Sequence, residues 1–198
     1  MHSYGGCVGT DAAQDFLSPV VPSPTTTTTT NKNQTPGAAA GGGGGGIIHL
    51  LYLCAYILPP GSSIQTIMDK AGVDDTLWAQ FMDDDEAGLT MPRDPGLWFY
   101  EGLEQKTVDR CVQALVRFPV SVLREKTNGD AWRRCPVTYV RTERDYAVPG
   151  AFQDLMLDGV RGEEGVEIRV LGFEACHSVF LSNVEDLVAV AAGVVRDM

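Results

Sequence analysis

Three stretches of the chain carry the apolar patterning of strands in a sheet. Residues 47–58 (Ile-Ile-His-Leu-Leu-Tyr-Leu-Cys-Ala-Tyr-Ile-Leu) run almost without a polar break, and Pro59-Pro60-Gly61 stops them. A strand covered on both faces, as in a parallel sheet, has this pattern. Residues 136–141 are a second short buried strand, and residues 166–171 alternate as a third strand nearer an edge. His49 lies inside the first run, where a core histidine is the expected reading rather than a catalytic one.

Helical spacing fills the intervals. Val8, Ala12 and Phe16 recur four apart and predict a short helix over 5–17. Residues 62–131 are helical but irregular. Ser63 caps a helix that ends at Gly72, Asp94-Pro95 opens one over 96–103, and Val108, Cys111, Val112 and Leu115 mark one over 107–116. Pro149 starts a helix carrying Phe152, Leu155, Met156 and Val160. Ser182-Asn183-Val184-Glu185 reads as an S-x-x-E capping box for a final helix, with Leu187, Val188, Ala191, Val194 and Val195 on its apolar face. Helices inserted between two buried strands form a cap or lid. Their large side chains pack a small core or line an apolar pocket, with Trp98 and Phe99 as candidate substrate contacts.

Residues 18–46 break every pattern. They hold Pro19, Pro22, Pro24, Thr25 to Thr30, Pro36 and Gly41 to Gly46, and too little apolar surface to offset the entropy of ordering. A disordered insertion is expected. No Gly-Lys-Ser/Thr follows the glycines, so they do not form a phosphate loop.

Composition narrows the class. A chain of 198 residues suits one domain. Its 26 acidic against 15 basic residues, a net charge of −11, disfavour nucleic acid and anionic membranes. Five scattered cysteines without a C-x-x-C pair disfavour a zinc site or a disulfide framework, and fit reduced thiols in the cytoplasm. The run 47–58 is too short to span a bilayer, and no secretory leader is visible. The acidic run Asp83-Asp84-Asp85-Glu86 lacks the glycine and spacing of a calcium loop and reads as a solvated face. The expectation is a soluble, cytoplasmic protein with no metal or other cofactor and a small molecule as its partner.

Candidate chemistry begins at the first residue. Met1-His2-Ser3-Tyr4-Gly5-Gly6 reads as a G-x-S-x-G nucleophile elbow with methionine in place of the first glycine. Such a turn lifts a serine hydroxyl out of the fold, and small neighbours let strand and helix approach. Further on, Asp145 follows the second strand and His177 the third, each before a helix. Ligands of open α/β sheets bind outside those strand ends. The order Ser3, Asp145, His177 is that of an acyl-transfer triad: His177 as base, Asp145 fixing its tautomer, and the Tyr4 backbone N–H as an oxyanion donor. Glu143 competes for the acid role, and Cys176 reads as a small buried filler.

The elbow His-Ser-Tyr-Gly-Gly resembles the methylesterase and hydroxynitrile-lyase-like branch of the α/β-hydrolases. So do residues 52–61, Thr-Glu-Arg-Asp-Tyr-Ala-Val-Pro (142–149) and Cys-His-Ser-Val-Phe-Leu-Ser (176–182). The resemblance covers nearly everything outside 18–46. It implies a carboxylesterase-type fold with a helical cap over 62–131 and a triad of Ser3, Asp145 and His177, the acid standing four residues before the proline. It also implies one of three functions: hydrolysis of a small, largely apolar ester, cyanohydrin cleavage on the same triad, or binding without catalysis. The family's fold begins with strands ahead of the elbow. Met1 stands where the elbow strand arrives, so the whole chain 1–198 reads as a single, N-terminally truncated α/β domain. The expected consequences are an unpaired edge on strand 47–58, a mobile Ser3 and weakened or absent activity.

Overall fold

The computed structural model describes residues 1–17 and 46–196. Apart from Gly46, the low-complexity stretch expected to be disordered lies outside the described residues.

The chain forms α1 (Gly5–Ala13), β1 (Leu50–Leu53), α2 (Ile64–Lys70), α3 (Asp75–Phe81), β2 (Met82–Asp84), β3 (Leu89–Pro92), α4 (Pro95–Tyr100), α5 (Gln105–Gln113), β4 (Phe118–Pro119), β5 (Val137–Thr142), α6 (Gly150–Arg161), β6 (Ile168–Phe173), α7 (Val179–Ser182) and α8 (Val184–Arg196). The main sheet is parallel, in the order β1-β5-β6. Its two faces are covered separately. Leu50, Tyr52, Val137 and Tyr139 join Ala13 of α1 and Met156, Leu157 and Val160 of α6 in one core. Val140 joins Val179 of α7 and Leu187 of α8 in the other, against which Leu51 and Leu53 pack. Burial on both faces is why strand 47–58 shows no alternation in sequence.

That strand is shorter than expected. The ladder ends at Leu53 because Cys54 takes a positive φ of 37°, and Ala55 to Leu58 run on, buried, outside the sheet. Their polar backbone is still satisfied. Tyr139 Oη donates to the Ala55 carbonyl at 3.0 Å and Trp132 Nε1 to that of Leu58 at 3.2 Å. His49, just before β1, is half-buried rather than in the core, and is bonded to Thr138 Oγ1 at 3.0 Å.

The expected free edge of β1 is occupied. His2 bridges Leu53 in parallel register. The Leu53 N–H donates to the Met1 carbonyl at 2.8 Å and the Met1 amine to the Leu51 carbonyl at 2.7 Å. Residues 1–3 therefore act as a further strand on that side, and Ser3 is pinned.

Two helices present a different face from the one their periodicity predicts. On α1 the buried residues are Gly6, Thr10 and Ala13, whereas Val8 is 54% exposed and Phe16, in the turn after the helix, 65%. The helix lies so close to the segment after β1 that only small residues fit beneath it. Thr10 Oγ1 bonds Tyr52 Oη at 2.6 Å. On α8 Leu187 is buried, yet Val188 is 62% and Val195 66% exposed. The capping box also shifts. Ser182 ends α7, and the Leu187 N–H donates to the Asn183 carbonyl, so α8 starts one residue later.

Segment 62–131 carries the predicted caps, with Thr66 N–H donating to Ser63 Oγ and Leu97 N–H to Asp94 Oδ1. It is not all helical. β2, β3 and β4 form an antiparallel sheet. The acidic run builds its turn, with Asp85 Oδ1 accepting from the N–H groups of Ala87 and Leu89 and Asp83 paired to Arg117. Short strands embedded in polar turns give too few alternations to read from sequence. No described helix is long and apolar enough to cross a membrane.

Candidate active site

Ser3 stands between the arriving strand and α1 with φ at 51°, a left-handed conformation that a residue with a β-carbon rarely takes. Hydrogen bonds on both sides hold it there. Its N–H reaches the Leu53 carbonyl at 3.4 Å, and its carbonyl accepts from Gly6 N–H at 2.9 Å and Tyr56 N–H at 3.0 Å. The turn is closed by sterics as much as by bonds. A β-carbon on Gly6 would sit 2.2 Å from the Tyr56 carbonyl oxygen, whereas one on Gly5 would meet nothing within 4 Å. Met1 stands where the motif has its first glycine, and its side chain packs against α1. The Met1 side chain fills the space above Gly9, where a β-carbon would lie 2.3 Å from its sulfur.

The Tyr4 N–H has no hydrogen-bond partner among the described residues, and Tyr4 and Ser3 both line a cavity of about 810 Å³. Also lining it are side chains of segment 62–131, including Trp78, Phe81, Met82, Trp98 and Phe99. Among the described residues no charged side chain lines this cavity, and Lys106 and Lys126 are both exposed.

Asp145 lies beyond the end of β5 and is buried. Its carboxylate accepts from Thr142 Oγ1 at 2.8 Å and from the N–H groups of Ala147 at 2.9 Å and Val148 at 2.8 Å. It also meets His177 Nδ1 at 2.8 Å. A carboxylate only accepts, so the neutral imidazole carries its proton on Nδ1 and presents the Nε2 lone pair. Glu143, the competing acid, is exposed, and its Oε1 lies beside Gly172. His177 is buried, with Phe99 over its ring at a centroid distance of 5.7 Å and the Phe99 carbonyl accepting from Ser178 N–H. Cys176 is buried beside it.

The structure thus joins Asp145 to His177 directly. Ser3 follows His2, whose ring centroid is 4.5 Å from that of His177. Neither Ser3 Oγ nor His177 Nε2 has a hydrogen-bond partner among the described residues.

Comparison with solved structures fixes the fold. The chain superposes on a pyrethroid hydrolase from Sphingobium faniae JZ-2 with a TM-score of 0.62 at 17% identity, covering 97% of this chain and 67% of that one. Polyneuridine aldehyde esterase gives 0.63 at 12%, covering 98% and 69%. Methylesterase MES16 from Arabidopsis gives 0.57 at 16%, covering 77% and 61%. The chain has the α/β-hydrolase fold. No family model matches it, and no curated protein is similar to it in sequence.

Sequence reasoning missed one support of this site. Gln153 of α6, wholly buried, accepts from Thr142 N–H at 3.1 Å and donates to the carbonyls of Thr142 at 3.0 Å and Val148 at 2.8 Å. It bridges both ends of the loop that carries Asp145. Its signal was a lone polar residue in register with Met156, Leu157 and Val160 on a buried helix face.

Proposed function

We propose that this chain is a serine hydrolase of carboxylesterase type, acting on an uncharged, apolar ester through Ser3, His177 and Asp145. The observation that carries the reading is the strained Ser3 turn opening on an apolar cavity beside an Asp145–His177 pair at 2.8 Å.

In this reading Ser3 Oγ attacks the ester carbonyl carbon while His177 Nε2 takes its proton. Tyr4 N–H donates to the developing oxyanion. Asp145 holds the imidazole tautomer and offsets the charge of the imidazolium. The intermediate collapses, the alkoxide leaves with the proton from His177, and the acyl group stays on Ser3. Water then attacks the acyl carbon, giving its proton to His177, and the carboxylic acid departs as Ser3 regains its hydrogen. The apolar lining favours esters with bulky hydrocarbon or aromatic parts, with Trp98 and Phe99 among the contacts.

Cyanohydrin cleavage draws no support from this cavity, whose lining among the described residues holds no lysine to bind cyanide. The test is labelling by a fluorophosphonate together with turnover of p-nitrophenyl esters of increasing chain length. Both are expected from the wild type and neither from Ser3→Ala. An unlabelled, well-folded wild type leaves a binding protein on a hydrolase scaffold.

A further inference from the structure

Two donors from neighbouring segments converge on one main-chain oxygen, the carbonyl of His177. His2 Nε2 reaches it at 2.9 Å and Cys54 Sγ at 3.2 Å. A carbonyl only accepts, so His2 carries its proton on Nε2 and Cys54 donates as the thiol. His2 is the residue before Ser3, and Cys54 is the residue at which the chain leaves β1. The base is thereby tied to both segments that frame the elbow.

The backbone shows the same focus. Ser3 and Cys54 are the two non-glycine residues with positive φ among the described residues. Strained backbone survives only where its surroundings over-determine it, and it clusters at functional sites. At Cys54 the strain turns a buried side chain toward the His177 carbonyl. His2 adds a second hold on the ring itself, with its centroid 4.5 Å from that of His177 and its ring edge-on to Phe180 at 5.0 Å.

The trio His2, Cys54 and His177 also has the composition of a transition-metal site, with ligating atoms within 4.8 Å of one another. The hydrogen bonds argue against that use. His2 Nε2 and Cys54 Sγ are spent on the carbonyl oxygen, and His177 Nδ1 on Asp145. Burial pushes the Cys54 thiol up, away from the thiolate a metal needs. His2, pushed down to about 4 by burial and by His177, stays a neutral N–H donor through the neutral range.

We propose that His2 and Cys54 are positioning residues, a two-point clamp on the His177 peptide that sets the imidazole against Ser3. The proposal rests on His177 being the general base. His2→Leu removes one donor, and His2→Gln keeps an N–H of similar reach. The first readout is the low-field proton resonance of the His177 Nδ1–H bond to Asp145, assigned by its loss in Asp145→Asn and visible without turnover. The second is the rate of Ser3 labelling by a fluorophosphonate, with kcat and KM on a p-nitrophenyl ester.

His2→Leu is expected to broaden the resonance and to slow labelling and kcat by about tenfold to a hundredfold with KM little changed, as for a base displaced by a fraction of an ångström. His2→Gln should recover most of that loss. Cys54→Ala, which removes only a sulfur atom, should act in the same direction and serves if His2→Leu does not fold; Cys54→Ser should restore the donor. Wild-type resonance and labelling in a folded His2→Leu or Cys54→Ala would overturn the clamp. An unlabelled wild type would instead overturn the hydrolase reading, with the resonance still deciding the clamp.

Discussion

Gly6 and Tyr56 touch backbone to backbone: a β-carbon on Gly6 would lie 2.2 Å from the Tyr56 carbonyl oxygen and 2.8 Å from its nitrogen. This contact, more than the glycine of the serine motif, closes the elbow. Gly6→Ala should therefore destabilise the protein by about 1–3 kcal/mol through overpacking. Gly5→Ala, on a helix and in open space, should be neutral or stabilising by roughly 0.5 kcal/mol. Urea denaturation of the two variants checks the contrast, and equal effects would count against it.

The same contact explains what the sequence could and could not reveal. The three sheet strands, the α6 start at Pro149 and the Ser63 and Asp94 caps were legible because each rests on local pattern. So were the two loops that bring Asp145 and His177 together. The buried face of α1 was not. Periodicity favoured Val8, Ala12 and Phe16, but the close approach at Tyr56 turns the small residues Gly6, Thr10 and Ala13 inward. The cap sheet was missed because β2, β3 and β4 are only two to four residues long. The clamp on His177 was invisible because it joins residues 2, 54 and 177, which only the fold makes neighbours.

Gln153 ties Thr142 to Val148 around the Asp145 loop. Gln153→Met preserves volume while stranding the Thr142 N–H and the Val148 carbonyl, at a cost on the order of 3 kcal/mol. The loss should appear as a lower urea midpoint with an unchanged slope. A midpoint within error of wild type would remove Gln153 from the account.

Asp145 and Glu143 separate the two candidate acids. Asp145→Asn should lower kcat by roughly 10³–10⁴, because the amide no longer selects the Nδ1–H tautomer. Glu143→Gln, at an exposed position, should leave the rate near wild type. Steady-state kinetics on one ester decide between them, and a large loss at Glu143 would move the acid role.

Acid should destabilise the fold through His2. Its ring is held down to about 4 in the folded protein, against an unfolded value of 6.5. The unfolded chain therefore binds the extra proton first, and stability falls as pH drops from about 6.5 toward 4, by roughly 3 kcal/mol in all. His49, lowered by burial and by Arg169, acts in the same direction. Urea midpoints across this range should fall less steeply in His2→Gln. An identical pH slope in that variant would show that His2 does not drive the effect.

In the function we propose, Ser3 is a nucleophile that opens on an apolar pocket and is served by His177. Fluorophosphonate labelling mapped by mass spectrometry tests it most directly. A single adduct on Ser3 is expected, abolished by Ser3→Ala and strongly slowed by His177→Ala. A folded wild-type protein that takes no label on Ser3, or takes it equally fast without His177, would contradict it.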